Sequence, residues 1–185
     1  MGAEGGALLG AFVAAMCAIY VPMAAGIHVV FCILMGAVAC GLMMLIPALL
    51  KTRLGVSEMV CSLMLNYVVM YVISYLMNAH LSDKSKGQIQ SYPFESTAQV
   101  PQLVDNGSKL SWGFVVAIVF VVLIALFMYR TRWGYAIRMI GINKDFAMYS
   151  GMKVAGVIVL AHVLGGVLAG MGGGLEMLGR YETYA

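Results

Sequence analysis

Gly5-Gly-Ala-Leu-Leu-Gly-Ala-Phe-Val-Ala-Ala-Met-Cys-Ala-Ile-Tyr20, then Val21-Pro-Met-Ala-Ala-Gly26, then Ile27-His-Val-Val-Phe-Cys-Ile-Leu-Met-Gly-Ala-Val-Ala-Cys-Gly-Leu-Met-Met-Leu-Ile-Pro-Ala-Leu-Leu50 fill positions 5 to 50 without one formal charge. A single helix of that length would run about 69 Å at about 1.5 Å per residue. A bilayer core is about 30 Å thick and takes about 20 residues. Two helices joined by a turn fit instead, with Pro22 and Gly26 breaking the run at Tyr20–Gly26. The expected helices are 7–21 and 27–50. The first is short for a complete crossing and reads as a half-helix or a segment whose beginning is missing.

Three more charge-free runs follow. Met59 to Ser82, with its only possible charge at His80, predicts a helix near 58–80. Leu110 to Tyr129 predicts one near 112–130, and Val154 to Leu175 one near 154–175. A membrane β-barrel would show short alternating segments rather than continuous apolar runs. The fold expected is therefore all-α, a polytopic transmembrane helix bundle of about five membrane segments.

Composition agrees. Of 185 residues, 62% are hydrophobic and 10% charged, against roughly 25% charged in soluble domains. Mean hydropathy is +0.93. The formal net charge of +3 is too small, and too dispersed, to point to nucleic acid. Cys17, Cys32, Cys40 and Cys61 lie in apolar runs without a C-x-x-C pair, which favours small buried thiols over zinc or redox chemistry. No basic n-region precedes the first apolar stretch.

The few charges set the orientation. Lys51 and Arg53 lie between the second and third helices; Arg130, Arg132, Arg138, Lys144 and Lys153 lie between the fourth and fifth. The positive-inside rule puts both connections in the cytoplasm. Residue 185 is then outside, and residue 1 inside or within the membrane. Trp112, Tyr129, Trp133 and Tyr135 flank the fourth helix as an interfacial aromatic belt would. The polar segment 81–111 becomes an extracytoplasmic loop, either a solvated connector or a contact for a partner.

Nothing resembles a catalytic constellation. His28, His80 and His162 sit on separate segments, no carboxylate pair recurs at a helical interval, and there is no G-x-x-x-x-G-K-[ST] to bind ATP. The chain reads as a non-enzyme with no metal and no cofactor of its own. Polar residues within the spans are costly in lipid and therefore informative. Asn66 sits mid-helix in Leu63-Met-Leu-Asn-Tyr67, where bonding to a neighbouring helix is the commoner role and contact with a solute the sharper one. Glu58 follows Ser57 at a helix start and complements the dipole there. His28 and His162 read as packed or hydrogen-bonded core residues. Gly165, Gly166, Gly170, Gly172, Gly173 and Gly174 crowd the last helix. Close helix packing is the first reading of them, with local unwinding at Gly172–Gly174 as the alternative. Glu176 follows, facing either an aqueous vestibule or the outer interface.

The segment 130–153 is too long for a turn. Asn143 is placed to N-cap a short helix with Lys144 and Asp145 in its first turn, and Gly151 to end it. Such a helix would lie across the end of the bundle and offer a knob to a soluble partner, unless it is simply a surface-lying amphipathic stretch.

Here the sequence resembles a known family. Arg130-Thr-Arg-Trp-Gly-Tyr-Ala-Ile-Arg138, Gly141-Ile-Asn-Lys-Asp-Phe-Ala147 and Gly151 are similar to T-x-W-G-x-x-x-R-x-x-G-x-N-x-x-A-A-x-x-x-G-I of permease subunits of bacterial ABC importers for simple sugars and nucleosides, within the branched-chain amino acid and ribose permease group. Lys144 replaces a frequent Pro, Phe146 the first Ala, and Met152 the Ile. Gly55-Val-Ser-Glu-Met-Val-Cys-Ser-Leu-Met-Leu-Asn-Tyr67 looks like G-x-x-E-x-x-x-x-L-M-L-N-Y of the nucleoside-type branch. Gly2-Ala-Glu-Gly5 looks like part of N-I-G-x-E-G-Q, with Gly6 for Gln. The last helix, ending Leu175-Glu-Met-Leu-Gly179, looks like the family's glycine-rich helix, with Leu164 for its Ser. Together the four ordered motifs cover nearly the whole chain. Family members are longer, so the chain looks like the middle of a permease: a single, partial transmembrane domain over 1–185.

The resemblance implies a multi-pass cell-membrane permease subunit. It implies a second permease subunit, a cytoplasmic ATP-binding subunit that carries the ATP, and an extracytoplasmic solute-binding protein. Arg138, Gly141, Asn143, Asp145, Phe146, Ala147, Met148 and Gly151 would form the ATPase-coupling segment, with Phe146 and Met148 plugging a groove on the ATPase. Asn66, Glu4 and Glu176 would be the groups that see solute, Asn66 first because nucleosides and sugars need neutral hydrogen-bond partners. An ATP-independent transporter or channel subunit, or a non-functional permease remnant, would explain the helices equally well.

Overall fold

The computed structural model describes residues 3–21, 26–78 and 112–180. Those residues form seven α-helices: α1 (Ala3–Tyr20), α2 (Ile27–Leu49), α3 (Glu58–Leu76), α4 (Gly113–Arg130), α5 (Arg132–Ile142), α6 (Lys144–Tyr149) and α7 (Val154–Arg180). A π-helical turn, Leu50–Leu54, prolongs α2 and ends at Gly55, whose φ of +68° is left-handed. Among the described residues there is no strand. Four helical stretches are long and apolar enough to cross a membrane, and the apolar stretch Glu4–Tyr20 is shorter. The bundle is the one the charge-free runs imply. The long 81–111 segment, His80 and most of the Pro22 turn lie outside the described residues.

Two boundaries move. The first helix starts at Ala3 rather than 7, which puts Glu4 in the first turn where a carboxylate complements the helix dipole. The α-helical part of the third ends at Leu76 and turns π-helical over 77–78, and its expected end at 80 lies outside the described residues. The last continues to Arg180 rather than 175, unbroken through Gly172–Gly174. Unwinding is therefore overturned and close packing stands: a Cβ at Gly173 would collide with the Ala7 carbonyl oxygen.

The centre of the bundle is a three-way crossing of α1, α2 and α7. A Cβ at Gly10 would lie 2.5 Å from the Gly170 Cα, one at Gly170 2.6 Å from the Gly36 oxygen, and one at Gly36 2.8 Å from the Gly10 oxygen. Each helix thus presents bare backbone to the next. In lipid, where apolar side chains gain little from pairing with one another, such close van der Waals approach is what drives helix association. Around the crossing, Cys40 Sγ donates to the Gly6 carbonyl at 2.8 Å, and Cys32, Ala14, Ala15 and Leu178 are buried. The contacts fix directions. Gly6 meets Ala169, Gly10 meets Gly170 and Gly174 meets Ala14, so α1 and α7 run parallel; Gly36 and Cys40 meet Gly170, with Met44 and Cys40 at Gly166, so α2 runs against both.

These pairings place the start of α1 deep in the bundle. Gly5 abuts Asn66, which lies eight positions, about 12 Å, into α3. Gly6 abuts Ala169, fifteen positions, about 22 Å, into α7. Gly5 and Gly6 therefore sit well inside the bundle, within a helix of 18 described residues.

Seven of the eight described Lys and Arg residues gather at one end, Arg180 at the far end of α7 being the exception. Glu58 joins three elements there: its Oε2 lies 3.8 Å from Lys51 Nζ and 3.5 Å from His162 Nε2. His162 Nδ1 is 2.8 Å from the Ile158 carbonyl oxygen. Glu58 therefore does more than face a helix dipole; it ties the π-turn and α3 to α7. His28 is fully buried, with Nε2 3.3 Å from the Cys17 carbonyl oxygen.

Replacing Gly170 with Leu should destabilise the bundle by about 1–3 kcal/mol, the range for overpacking a filled interior. Gly172→Ala should be neutral, because nothing lies within 4 Å of a Cβ there. Thermal unfolding of the two variants in detergent, side by side with the parent, tests the pair.

Candidate functional site

The segment at the basic end is built from its caps. Asn143 is extended (φ −151°, ψ 107°), and its Oδ1 accepts from the Phe146 N–H at 3.0 Å. That satisfies one of the donors left open at any helix start. Asp145 stands in the first turn. At the other end the Gly151 N–H donates to Met148 O (3.1 Å) and the Met152 N–H to Ala147 O (3.1 Å), with Gly151 at φ +78°. This paired closure is the Schellman arrangement, and its left-handed residue is what favours glycine there. The short helix expected from Asn143 and Gly151 is present between them.

Its orientation follows from one buried residue. Ala147 is wholly buried. At about 100° per residue the positions two away, Asp145 and Tyr149, point most directly outward, and Phe146 and Met148 flank them. Exposure agrees: Tyr149 is 86% exposed, Phe146 55%, Met148 54%, and Ile142, just before the cap, 81%. Tyr149 and Ile142 are the members of this surface that sequence reasoning missed. Placing Ala147 inward was the signal that would have found Tyr149.

Before α6, the sequence reading saw only interleaved polar and apolar residues; the structure folds them into α5. Thr131 is both the end of α4 and the N-cap of α5. Its Oγ1 donates to Phe127 O at 2.7 Å and accepts from the Gly134 N–H at 3.1 Å. Arg138 is turned away from the outward face of α6, with its Cζ 4.8 Å from the Tyr129 ring centroid. Gly141 is exposed with nothing near its α-carbon to demand a glycine.

The three solute-path candidates separate. Glu4 is exposed in the first turn of α1, next to Gly5, which packs on the half-buried Asn66. Glu176, also exposed, follows Gly174, which meets Ala14. With Gly173 against Ala7 as well, it sits level with about residues 10–16 of α1, about 9–18 Å along the axis from Glu4. The structure brings Glu4 and Asn66 to one level and leaves Glu176 at another. Among the described residues no three of His, Cys, Asp and Glu cluster to hold a metal ion.

The architecture defines an integral membrane helix bundle with a capped surface helix at its basic end. The chain belongs to the family described as branched-chain amino acid transport system / permease component, which it matches over residues 1–183. It is 29% identical over 161 residues to the guanosine ABC transporter permease protein NupP of Bacillus subtilis, covering 86% of this chain and 46% of that protein. It is 29% identical over 160 residues to the nucleoside ABC transporter permease protein NupB of Lactococcus lactis, covering 82% and 44%. It is 31% identical over 193 residues to the glucose ABC transporter permease protein TsgB13 of Haloferax volcanii, covering 100% and 51%. The chain thus spans about half the length of these curated relatives. No solved structure matches it.

Asn143→Ala should remove the α6 cap and cost about 1 kcal/mol locally. Faster hydrogen exchange confined to the amides of 144–149, with α7 unchanged, is the expected signature.

Proposed function

We propose that this chain supplies part of the translocation pathway of an ATP-driven importer for a nucleoside or simple sugar, as a multi-pass permease subunit of the cell membrane. The observation that carries the reading is α6: a helix capped at both ends, at the basic end of the bundle, with apolar side chains held out of the core. An exposed Tyr149, Phe146, Met148 and Ile142 together make a surface suited to a protein partner. The positive-inside rule puts that end in the cytoplasm. The partner is a soluble ATP-binding subunit that holds and hydrolyses the ATP. A second permease subunit would complete the path, and an extracytoplasmic binding protein would deliver the solute. The names of the relatives support nucleosides and sugars as the solute class.

Along the path, Asn66 and the first turn of α1 meet at mid-depth, where a neutral amide suits a hydroxyl-rich or base-bearing solute. Glu176, at another level, is a candidate for the outer mouth of the path.

The test is reconstitution of the intact transporter. Phe146→Ala combined with Tyr149→Ala should abolish co-purification of the ATPase and reduce ATP-dependent uptake at least tenfold, the loss of about 1.4 kcal/mol or more expected when aromatic anchors leave an interface. Uptake that needs neither ATP nor these side chains would establish the ATP-independent alternative. Asn66→Leu should weaken solute affinity while leaving ATPase capture intact; unchanged affinity would remove Asn66 from the path.

A further inference from the structure

The joint between α4 and α5 is tighter than any other contact α4 makes in the described bundle. One residue, Thr131, separates the two helices, and its hydroxyl bonds to both. A Cβ at Gly134 would collide with the backbone of Phe127 and lie 2.5 Å from that of Met128, so α5 rests directly on the last turn of α4. The third tie is Arg138 over Tyr129. Among the described residues Arg138 makes no ion pair, and its Nε is sheltered without a hydrogen-bond partner, so the ring is what orients the guanidinium. A cation held over an aromatic face is directional and attractive.

Against the rest of the bundle α4 is loose. Only Gly113 in it is buried. Between α4 and α7 lies an apolar groove of about 350 Å³, lined by Phe120, Val121 and Ile124 on one side and by Leu168, Met171 and Leu175 on the other. The glycine-locked helices α1, α2 and α7 have no such gap at their crossing. A push on α6 therefore meets two responses: α5 and α4 move together, or the glycine crossing opens. The first is the softer.

We propose that the Arg138–Tyr129 contact is a positioning contact that fixes α5 at its angle to α4, so that displacement of α6 by its partner swings α4 against α7 and changes the groove. It rests on the ATP-driven reading above, and it makes α4 and α5 one lever about the Thr131 elbow. Arg138 then acts through Tyr129 and not as a docking residue.

The experiment uses the assembled transporter with nitroxide labels at Val121→Cys and Leu168→Cys, in a background with the half-buried Cys17 and Cys61 replaced by Ala. The label separation is measured without nucleotide and with ATP trapped, alongside solute moved per ATP hydrolysed. In the parent the separation should change by about 2–5 Å, the scale of helix shifts in switching proteins. Tyr129→Leu should retain ATPase capture and hydrolysis, lose the change in separation, and lower solute per ATP about fivefold or more, within the range for a cation–π contact. Tyr129→Phe should behave as the parent, because the ring remains. Adding Arg138→Gln to Tyr129→Leu should cost nothing further. A separation that still changes in Tyr129→Leu, or hydrolysis and uptake that fall in proportion, overturns the proposal. So does a parent that hydrolyses ATP without any change in separation. A parent that captures no ATPase overturns the ATP-driven reading itself, and this inference with it.

Discussion

The fold depends on backbone meeting backbone at Gly10, Gly36 and Gly170. Three helices can approach this closely only if none carries a side chain at the contact. Everything else in the core is arranged around that distance. Cys40 reaches the Gly6 carbonyl because α1 and α2 are pressed together. Leu178 and His28 are buried because the same approach leaves no room for lipid between the helices. In a medium as apolar as the side chains themselves, such complementarity replaces the expulsion of water as the source of specificity.

The two ends of this arrangement differ in character. At the basic end, Glu58 bridges the π-turn, α3 and α7 through Lys51 and His162, so these elements are linked by polar contacts at that end of the bundle. Beyond that tie the chain leaves the core through α5 and α6, whose shape is set by local hydrogen bonds. Thr131 and Asn143 each cap a helix with a side-chain oxygen, and Gly151 closes the second one. The core is held through packing and the surface segment through capping.

Much of this was legible in the residues. Runs free of charge located the described helices of membrane length, because formal charge in hydrocarbon is costly enough to be nearly absent. The caps of α6 were legible because Asn143 and Gly151 are chosen for dihedral angles and hydrogen bonds that few other residues provide. Where the reading fell short, the missing information was tertiary. Nothing local in Arg132–Ile142 distinguishes an amphipathic helix from a loop until Gly134 is seen against Phe127 and Met128. The triple glycine 172–174 reads locally as a weak point, yet Gly173 fits against Ala7 and the helix runs on unbroken. The difference in depth between Glu176 and the pair Glu4 and Asn66 was hidden for a similar reason: depth along α7 is set by its parallel register with α1, which no motif encodes.

The contact between Gly5 and Asn66 has a consequence for hydration. A polar side chain in hydrocarbon is costly unless it finds partners. Asn66 lies eight positions, about 12 Å, into α3, half-buried against the backbone of α1, with Glu4 exposed one residue from that contact. An amide and a carboxylate therefore share one level of an otherwise dry bundle, and the thickness of membrane that a hydrophilic molecule must cross without help is shortened there.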